Sequence, residues 1–169
     1  MNEAATQLVK VRPATSDDVE ALAAVYQDSA EHHQRLDPSL YTTPDQAELV
    51  ERYRQKLPLG EDAEILVADI AGEVVGWVEI KLSRPGDEPR MLRDSRIAEI
   101  DAAVANDYRG AGIGTDLVEA AEAWAVAHGA DYMAIGLHSA NVDAIRFYQE
   151  HHGWRTAGVF MLKRPGLKD

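Results

Sequence analysis

The chain has 169 residues, 46% of them apolar, enough to bury one core and ordinary for a globular protein, so a single domain over 1–169 is expected. Its 29 acidic against 17 basic side chains leave a formal net charge of -12, which argues against nucleic acid and anionic membranes as partners and favours cationic small molecules. There is no cysteine, which excludes disulfides, thiolate metal sites and a cysteine nucleophile, and no apolar stretch is long enough to span a bilayer.

The opening "MNEAATQLVKVRP" lacks a basic region followed by an apolar one, so no secretory signal is read and a cytoplasmic location is expected. "LVKVRPAT" alternates apolar and polar residues and predicts a first strand. "TSDDVEALAAVYQDSAEHH" predicts a helix with Thr15 as its cap, Asp17 and Asp18 in the first turn, and an apolar face of Val19, Leu22, Ala23, Tyr26 and Ala30. "RLDPSLYTTP" is rich in breakers and reads as a loop. A second helix is expected from "TPDQAELVERYRQKL", with Thr43 as cap, Pro44 in the first turn and an apolar line of Leu49, Tyr53 and Leu57.

"AEILVADIAGEVVGWVEIKL" predicts two strands joined by a tight turn at Ala71-Gly72, and the polar "SRPGDEPRMLRD" after them a loop. "SRIAEIDAAVAND" reads as another strand. The helix "GIGTDLVEAAEAWAVAHG" follows, with Ile113, Leu117, Ala121 and Trp124 on one face, Asp116, Glu119 and Glu122 on another, and Gly129 at its C-terminal end. "DYMAIGLHS" predicts a short strand, and "NVDAIRFYQEHHG" a short helix with Asn141 as cap. "WRTAGVFMLKRP" predicts one or two closing strands, and "KRPGLKD" a solvated tail. The expected order is β-α-α-β-β-β-α-β-α-β, a mixed α/β fold with an early antiparallel meander and one parallel β-α-β unit.

Between the strand and the helix, "NDYRGAGIGTDLVEA" places Gly110, Gly112 and Gly114 where a helix is about to begin, although glycine is a poor helix former. A plain strand-to-helix turn would need only one. The P-loop pattern fails, because Thr115 follows Gly114 with no lysine between them, and the dinucleotide pattern fails on its spacing and on the strand that follows. What remains is R-x-x-G-x-G, carried by Arg109, Gly112 and Gly114. Amides at a helix start point outward unpaired and carry partial positive charge, and missing side chains would let phosphate oxygens reach them.

Here the sequence resembles the GNAT superfamily of acyl-CoA-dependent N-acetyltransferases. "AAVANDYRGAGIGTDLVEAAEAWA" is similar to that family's coenzyme A loop with its flanking strand and helix. "NVDAIRFYQEHHGW" is similar to its N-x-x-A-x-x-F-Y-x-x-x-G-[FW] segment, through Asn141, Ala144, Phe147, Tyr148, Gly153 and Trp154. The resemblance is strong over residues 97–163 and weaker before them. It implies a GNAT-like fold, acetyl-CoA as acyl donor and no metal. It further implies that Arg109, Gly110, Ala111, Gly112, Ile113, Gly114 and Thr115 hold the diphosphate. The strand at Ala102, Ala103 and Val104 would then bond the pantetheine arm and supply an oxyanion donor, with Asn141, Ala144 and Tyr148 completing the cofactor contacts. Asn141 has an equal alternative as a helix cap alone.

Acetyl transfer to an amine needs a deprotonated amine, a stabilised oxyanion and a proton for the leaving thiolate, and a free alkylamine is mostly protonated near pH 7. The resemblance makes Tyr148 the acid; its alternative is a core residue of a short helix. Glu99 and Asp101, two apart on a strand, point to one face and are candidates to bind a cationic amine or take its proton; their alternative is a solvent-facing strand edge. Asp101 also lies three residues before Val104, where the resemblance places an acid in members that acetylate small amines. His32-His33 and His151-His152 diverge by about 100° on a helix and read as surface rather than as metal ligands. Glu31, His33 and Tyr41 lie where the family builds its acceptor pocket. Trp77 and Trp154 read as core, and His138 as a satisfied or exposed histidine. The expected function is acetyl transfer from acetyl-CoA to a primary amine of a cationic small molecule or peptide, directly, with no cysteine to carry the acetyl group. The alternative is a non-catalytic acyl-CoA-binding regulatory module; a second treats the glycines as a hinge in an interaction domain. The family resemblance also allows a homodimer through the final strands.

Overall fold

The first strand, β1 (Lys10–Pro13), ends on a proline that has no N–H to give the ladder. The computed structural model describes residues 8–83 and 95–163, so the loop expected over 83–94, apart from Ser83, and the tail expected over 163–169, apart from Lys163, lie outside the described residues. After β1 the chain turns through a 3-10 turn, Ser16–Asp18, capped as expected by Thr15. The Thr15 hydroxyl accepts from the Asp17 amide, and the Asp18 carboxylate accepts from the Thr15 amide at 2.7 Å. Helix α1 (Val19–Leu36) then buries Val19, Leu22, Ala23 and Val25.

Helix α2 (Gln46–Lys56) starts two residues later than expected. Asp45 is its cap, accepting from the amides of Ala47 at 2.8 Å and Glu48 at 3.3 Å. The Thr43 hydroxyl donates instead to Gln34 Oε1, and Pro44 falls outside the helix. Once the chain path places Asp45 there, its carboxylate is a strong acceptor for amides at the positive end of the helix. Leu49 and Tyr53 are buried as their spacing predicts.

Strands β2 (Ala63–Ile70) and β3 (Glu73–Ser83) are joined at Ala71 and Gly72, both left-handed (φ 54° and 93°), the turn that matches strand twist. β4 (Ile97–Val104) is followed by a 3-10 turn, Asn106–Tyr108, and by helix α3 (Ile113–Ala127). Gly129 leaves α3 in the left-handed region (φ 69°), and β5 (Tyr132–Ala134) follows. The sheet order is β1-β2-β3-β4-β5, antiparallel except for the parallel β4–β5 pair.

Register and parity divide the sheet into two faces. Val67, Trp77 and Ala103 align across β2, β3 and β4, and they join Val19, Leu22, Leu49 and Tyr53 of α1 and α2 in one core cluster. On the other face, a Cβ at Gly76 would meet the Ala103 carbonyl at 3.0 Å and Leu117 Cδ1 at 3.1 Å, so α3 packs there closely. The acidic positions Glu79, Glu99 and Asp101 share parity with Trp77 and Ala103, which places them on the α1–α2 face.

The chain divides into two compact units, Met1–Gly136 and Leu137–Asp169. In the second, α4 (Val142–Arg146) runs directly into a π turn, Phe147–His151. The closing strands expected after it are not formed among the described residues. Val159, Phe160 and Met161 are more than 80% exposed, and Leu162 is exposed as well. Apolar composition gives strand propensity, but a strand exists only with a ladder partner.

Candidate active site

The loop from β4 to α3 is built by its glycines. Gly110 and Gly112 are left-handed (φ 77° and 87°), a conformation that L side chains resist, and a Cβ on either would meet no atom within 4 Å. Two of the three glycines are thus required by the backbone and border open space. Gly114 lies inside the first turn of α3. The Gly112 carbonyl accepts from the amides of Thr115 at 3.0 Å and Asp116 at 3.2 Å, so the earlier amides of Ile113 and Gly114 stand at the mouth of the helix. Arg109 Nε donates to the Val104 carbonyl at 3.1 Å, which ties the loop to the end of β4. Ala111 is exposed on the same loop.

β4 pairs with β3 along its whole length but with β5 only at Ile97, Ala98 and Glu99. From Ile100 to Val104 its far edge carries no strand among the described residues. The Ala105 amide donates to the Val75 carbonyl at 2.9 Å, and antiparallel alternation then turns the odd-numbered amides toward β3. The amides of Ile100, Ala102 and Val104 face the unpaired edge. Of the expected cofactor contacts, Val104 therefore offers a donor, and the Ala102 amide faces the same edge while it also favours the charged Asp101 carboxylate. Ala103 has its amide in the β3 ladder and its methyl in the core.

The two carboxylates expected to act together occupy different settings on one face. Glu99 lies opposite Lys81 and is exposed. Asp101 lies opposite Glu79. Its carboxyl stays accessible to water while protein crowds around it, and its pKa is raised, first by burial and then by the negative charge of Glu79. The Ala102 amide, His33 and Lys56 pull the other way.

Glu79 is buried and bridges two ammonium groups. Lys56 of α2 donates to its Oε2, and Lys81 Nζ lies 3.0 Å from its Oε1. Burial pushes the Glu79 carboxyl up, but hydrogen bonds and charge from Lys56 and Lys81 outweigh that and hold it below the usual carboxylate range. Tyr53 is driven up by burial and by the same Glu79 charge. Neither Glu79 nor Lys56 was expected at the site. The available signal was an acid in the apolar run "GWVEIKL" at the same parity as Trp77.

His33 Nδ1 lies 2.8 Å from the Ser29 carbonyl, and its ring is 5.2 Å from that of Tyr41, which brings together two of the three residues expected at an acceptor pocket. The third, Glu31, is exposed and 3.9 Å from Arg35. Trp77 is buried as expected and stacks on Tyr26 at 6.1 Å between ring centres. Among the described residues no group of three His, Asp or Glu could hold a metal ion.

In the second unit the Asn141 side chain accepts from the Ala144 amide at 3.3 Å, so Asn141 is a helix cap. Tyr148 falls in the π turn, an irregularity that often accompanies function. Its ring lies 5.0 Å from that of Phe147 and 5.1 Å from that of Trp154.

Residues 23–154 match the model of the Acetyltransferase (GNAT) family. The chain belongs to that family. Among solved structures, a mutant of the BH1408 protein from Bacillus halodurans superposes on this GNAT chain with a TM-score of 0.83 at 24% identity, covering 94% of this chain and 99% of that one. A transcriptional regulator from Bacillus halodurans C-125 gives 0.73 at 23% identity, with 93% and 99% covered. The aminoglycoside N-acetyltransferase AAC(6')-Iy, in complex with CoA, gives 0.68 at 14% identity, with 94% and 95% covered. These likenesses show the mixed α/β GNAT fold. No curated protein matches the sequence. GNAT membership supports an acyltransferase, and the open left-handed glycines with two helix-mouth amides fit the diphosphate of a coenzyme A thioester. No helix among the described residues is long and apolar enough to cross a membrane.

Proposed function

We propose that this protein transfers an acetyl group from acetyl-CoA to a primary amine of a cationic small molecule or peptide, directly and without an acetyl-enzyme. The observation that carries this reading is the carboxylate Asp101, raised in pKa, on the strand whose unpaired edge presents the Ala102 and Val104 amides. When bound, acetyl-CoA supplies a thioester activated toward amines. Arg109, Gly110, Ala111, Gly112, Ile113, Gly114 and Thr115 form the diphosphate loop, and the Val104 amide is the oxyanion donor. Asp101 takes the proton of the incoming ammonium through water, and Glu99 adds negative charge that favours a cation. Tyr148 gives a proton to the departing sulfur; this role rests on its place in the family segment with Asn141 and Ala144. The family match runs from 23 to 154 and so touches both compact units, which supports reading 1–169 as one acetyltransferase domain. A homodimer is compatible with the scheme, and nothing in it requires a second copy.

The test is release of coenzyme A thiol with a panel of polyamines, aminosugars and basic peptides. At least one cationic amine is expected to turn over. Tyr148→Phe should lower kcat by about 100-fold or more, with a much smaller change in coenzyme A affinity because the ring is kept. Tight acetyl-CoA binding without turnover on any amine would instead identify a non-catalytic acyl-CoA-binding module. A hinge domain would show no thermal stabilisation by coenzyme A.

A further inference from the structure

We propose that Glu79, held between Lys56 and Lys81, is a positioning residue that sets how readily Asp101 takes a proton. The proposal rests on the reading of Asp101 as the base and adds the neighbouring charge that tunes it, beside the burial that acts on it first. Glu79 and Asp18 are the charged residues buried among those described, and Asp18 is matched by Arg12. Glu79 sits directly across the ladder from Asp101, in a pair that the alternation makes hydrogen-bonded, so both side chains rise from the same face about 5 Å apart. Like charges directly opposite each other destabilise a sheet, and a merely structural strand would avoid them.

The two carboxylates are treated unequally. Glu79 receives both ammonium groups, one from the last turn of α2 and one from its own strand, and stays ionised. Asp101 receives neither as an ion-pair partner among the described residues. A pair of carboxylates in one site cannot both ionise freely, and the one without a cation must hold its proton more tightly. Its surroundings are His33 from α1, Lys56 and Tyr53 from α2, Glu79 and Lys81 from β3, and Glu99 from β4. Within that set Glu79 raises the proton affinity of Asp101, while His33 and Lys56 lower it. Lys56 therefore serves twice: it fixes the neighbouring charge and limits its effect.

The experiment follows the side-chain carboxyl of Asp101 by carbon NMR against pH in the full chain, beside the pH profile of kcat/KM. In Glu79→Gln the Asp101 midpoint is expected to fall by about one pH unit, and Glu79→Asp should return it toward wild type. If Glu79→Gln leaves Lys56 stranded and does not fold, the double variant E79Q/K56M removes both charges; its midpoint should still fall, by less. An unmoved or raised midpoint in a folded variant overturns the proposal. A midpoint that moves together with the acid limb of kcat/KM supports both the tuning and the base. A moving midpoint with a fixed limb supports the tuning and overturns Asp101 as the base.

Discussion

Gly112 stands at φ 87° at the start of α3, and Gly129 at φ 69° just past its end. Both are left-handed, and a side chain at either costs about 1–2 kcal/mol in backbone strain. Fifteen residues of helix lie between them, about 22 Å along the axis. They therefore make a matched pair, equal in strain and unequal in what they face. A methyl at Gly129 meets the end of the Arg96 side chain at 2.9 Å, whereas one at Gly112 enters open space beside the helix-mouth amides. Gly112→Ala and Gly129→Ala should lower the melting temperature by similar amounts. Only Gly112→Ala should weaken coenzyme A binding, by about tenfold or more, as read by calorimetry. Equal affinity in the two variants would remove the diphosphate from this loop.

At the scale of elements, Arg12 of β1 binds three pieces of chain together. Its guanidinium donates to both Asp18 oxygens, at 2.8 and 2.9 Å, and to Asp69 of β2 at 3.0 Å. The hydrogen bonds from Arg12 lower the Asp18 pKa against the opposing effect of burial. Asp69 is lowered first by the Gly72 amide and then by Arg12. A carboxylate depressed in the folded state adds stability above its unfolded pKa and loses it as pH falls below about 4. Asp18→Asn should thus cost about 3 kcal/mol or more in urea unfolding at pH 7, because it leaves Arg12 without its main partner. The difference from wild type should shrink as pH drops below about 4. The Thr15–Asp18 cap was legible in the sequence because its partners are three residues apart. The glycine loop and the α3 face were legible for the same reason: they are local patterns. Two misreadings were of another kind. Thr43 and Asp45 both carry capping oxygens, and only the path of the chain chooses between them. Val159 to Leu162 have the composition of a strand but find no ladder among the described residues. Lys56 and Glu79 meet across 23 residues of sequence, and nothing local signals such a pair.

For the whole molecule the decisive quantity is the formal net charge of -12, set against a donor that is itself a polyanion. Charge spread over the surface acts at long range and is screened beyond about 10 Å at ordinary ionic strength, so coenzyme A must be held by local donors such as the α3 mouth and Arg109. A cationic acceptor faces the opposite situation: the diffuse field draws it in, and the acidic face of β4 continues the attraction at close range. The proposed acceptor class therefore has a kinetic signature separate from the chemistry at Asp101. For a diamine or triamine, kcat/KM should fall about tenfold as salt rises from roughly 20 to roughly 300 mM, with the loss in KM and little change in kcat. An acceptor of lower charge should lose much less, and the slope should steepen with each added ammonium group. Salt slopes that do not depend on acceptor charge would mean that the acidic surface serves solubility alone, and the acceptor would then have to be sought among neutral or anionic amines.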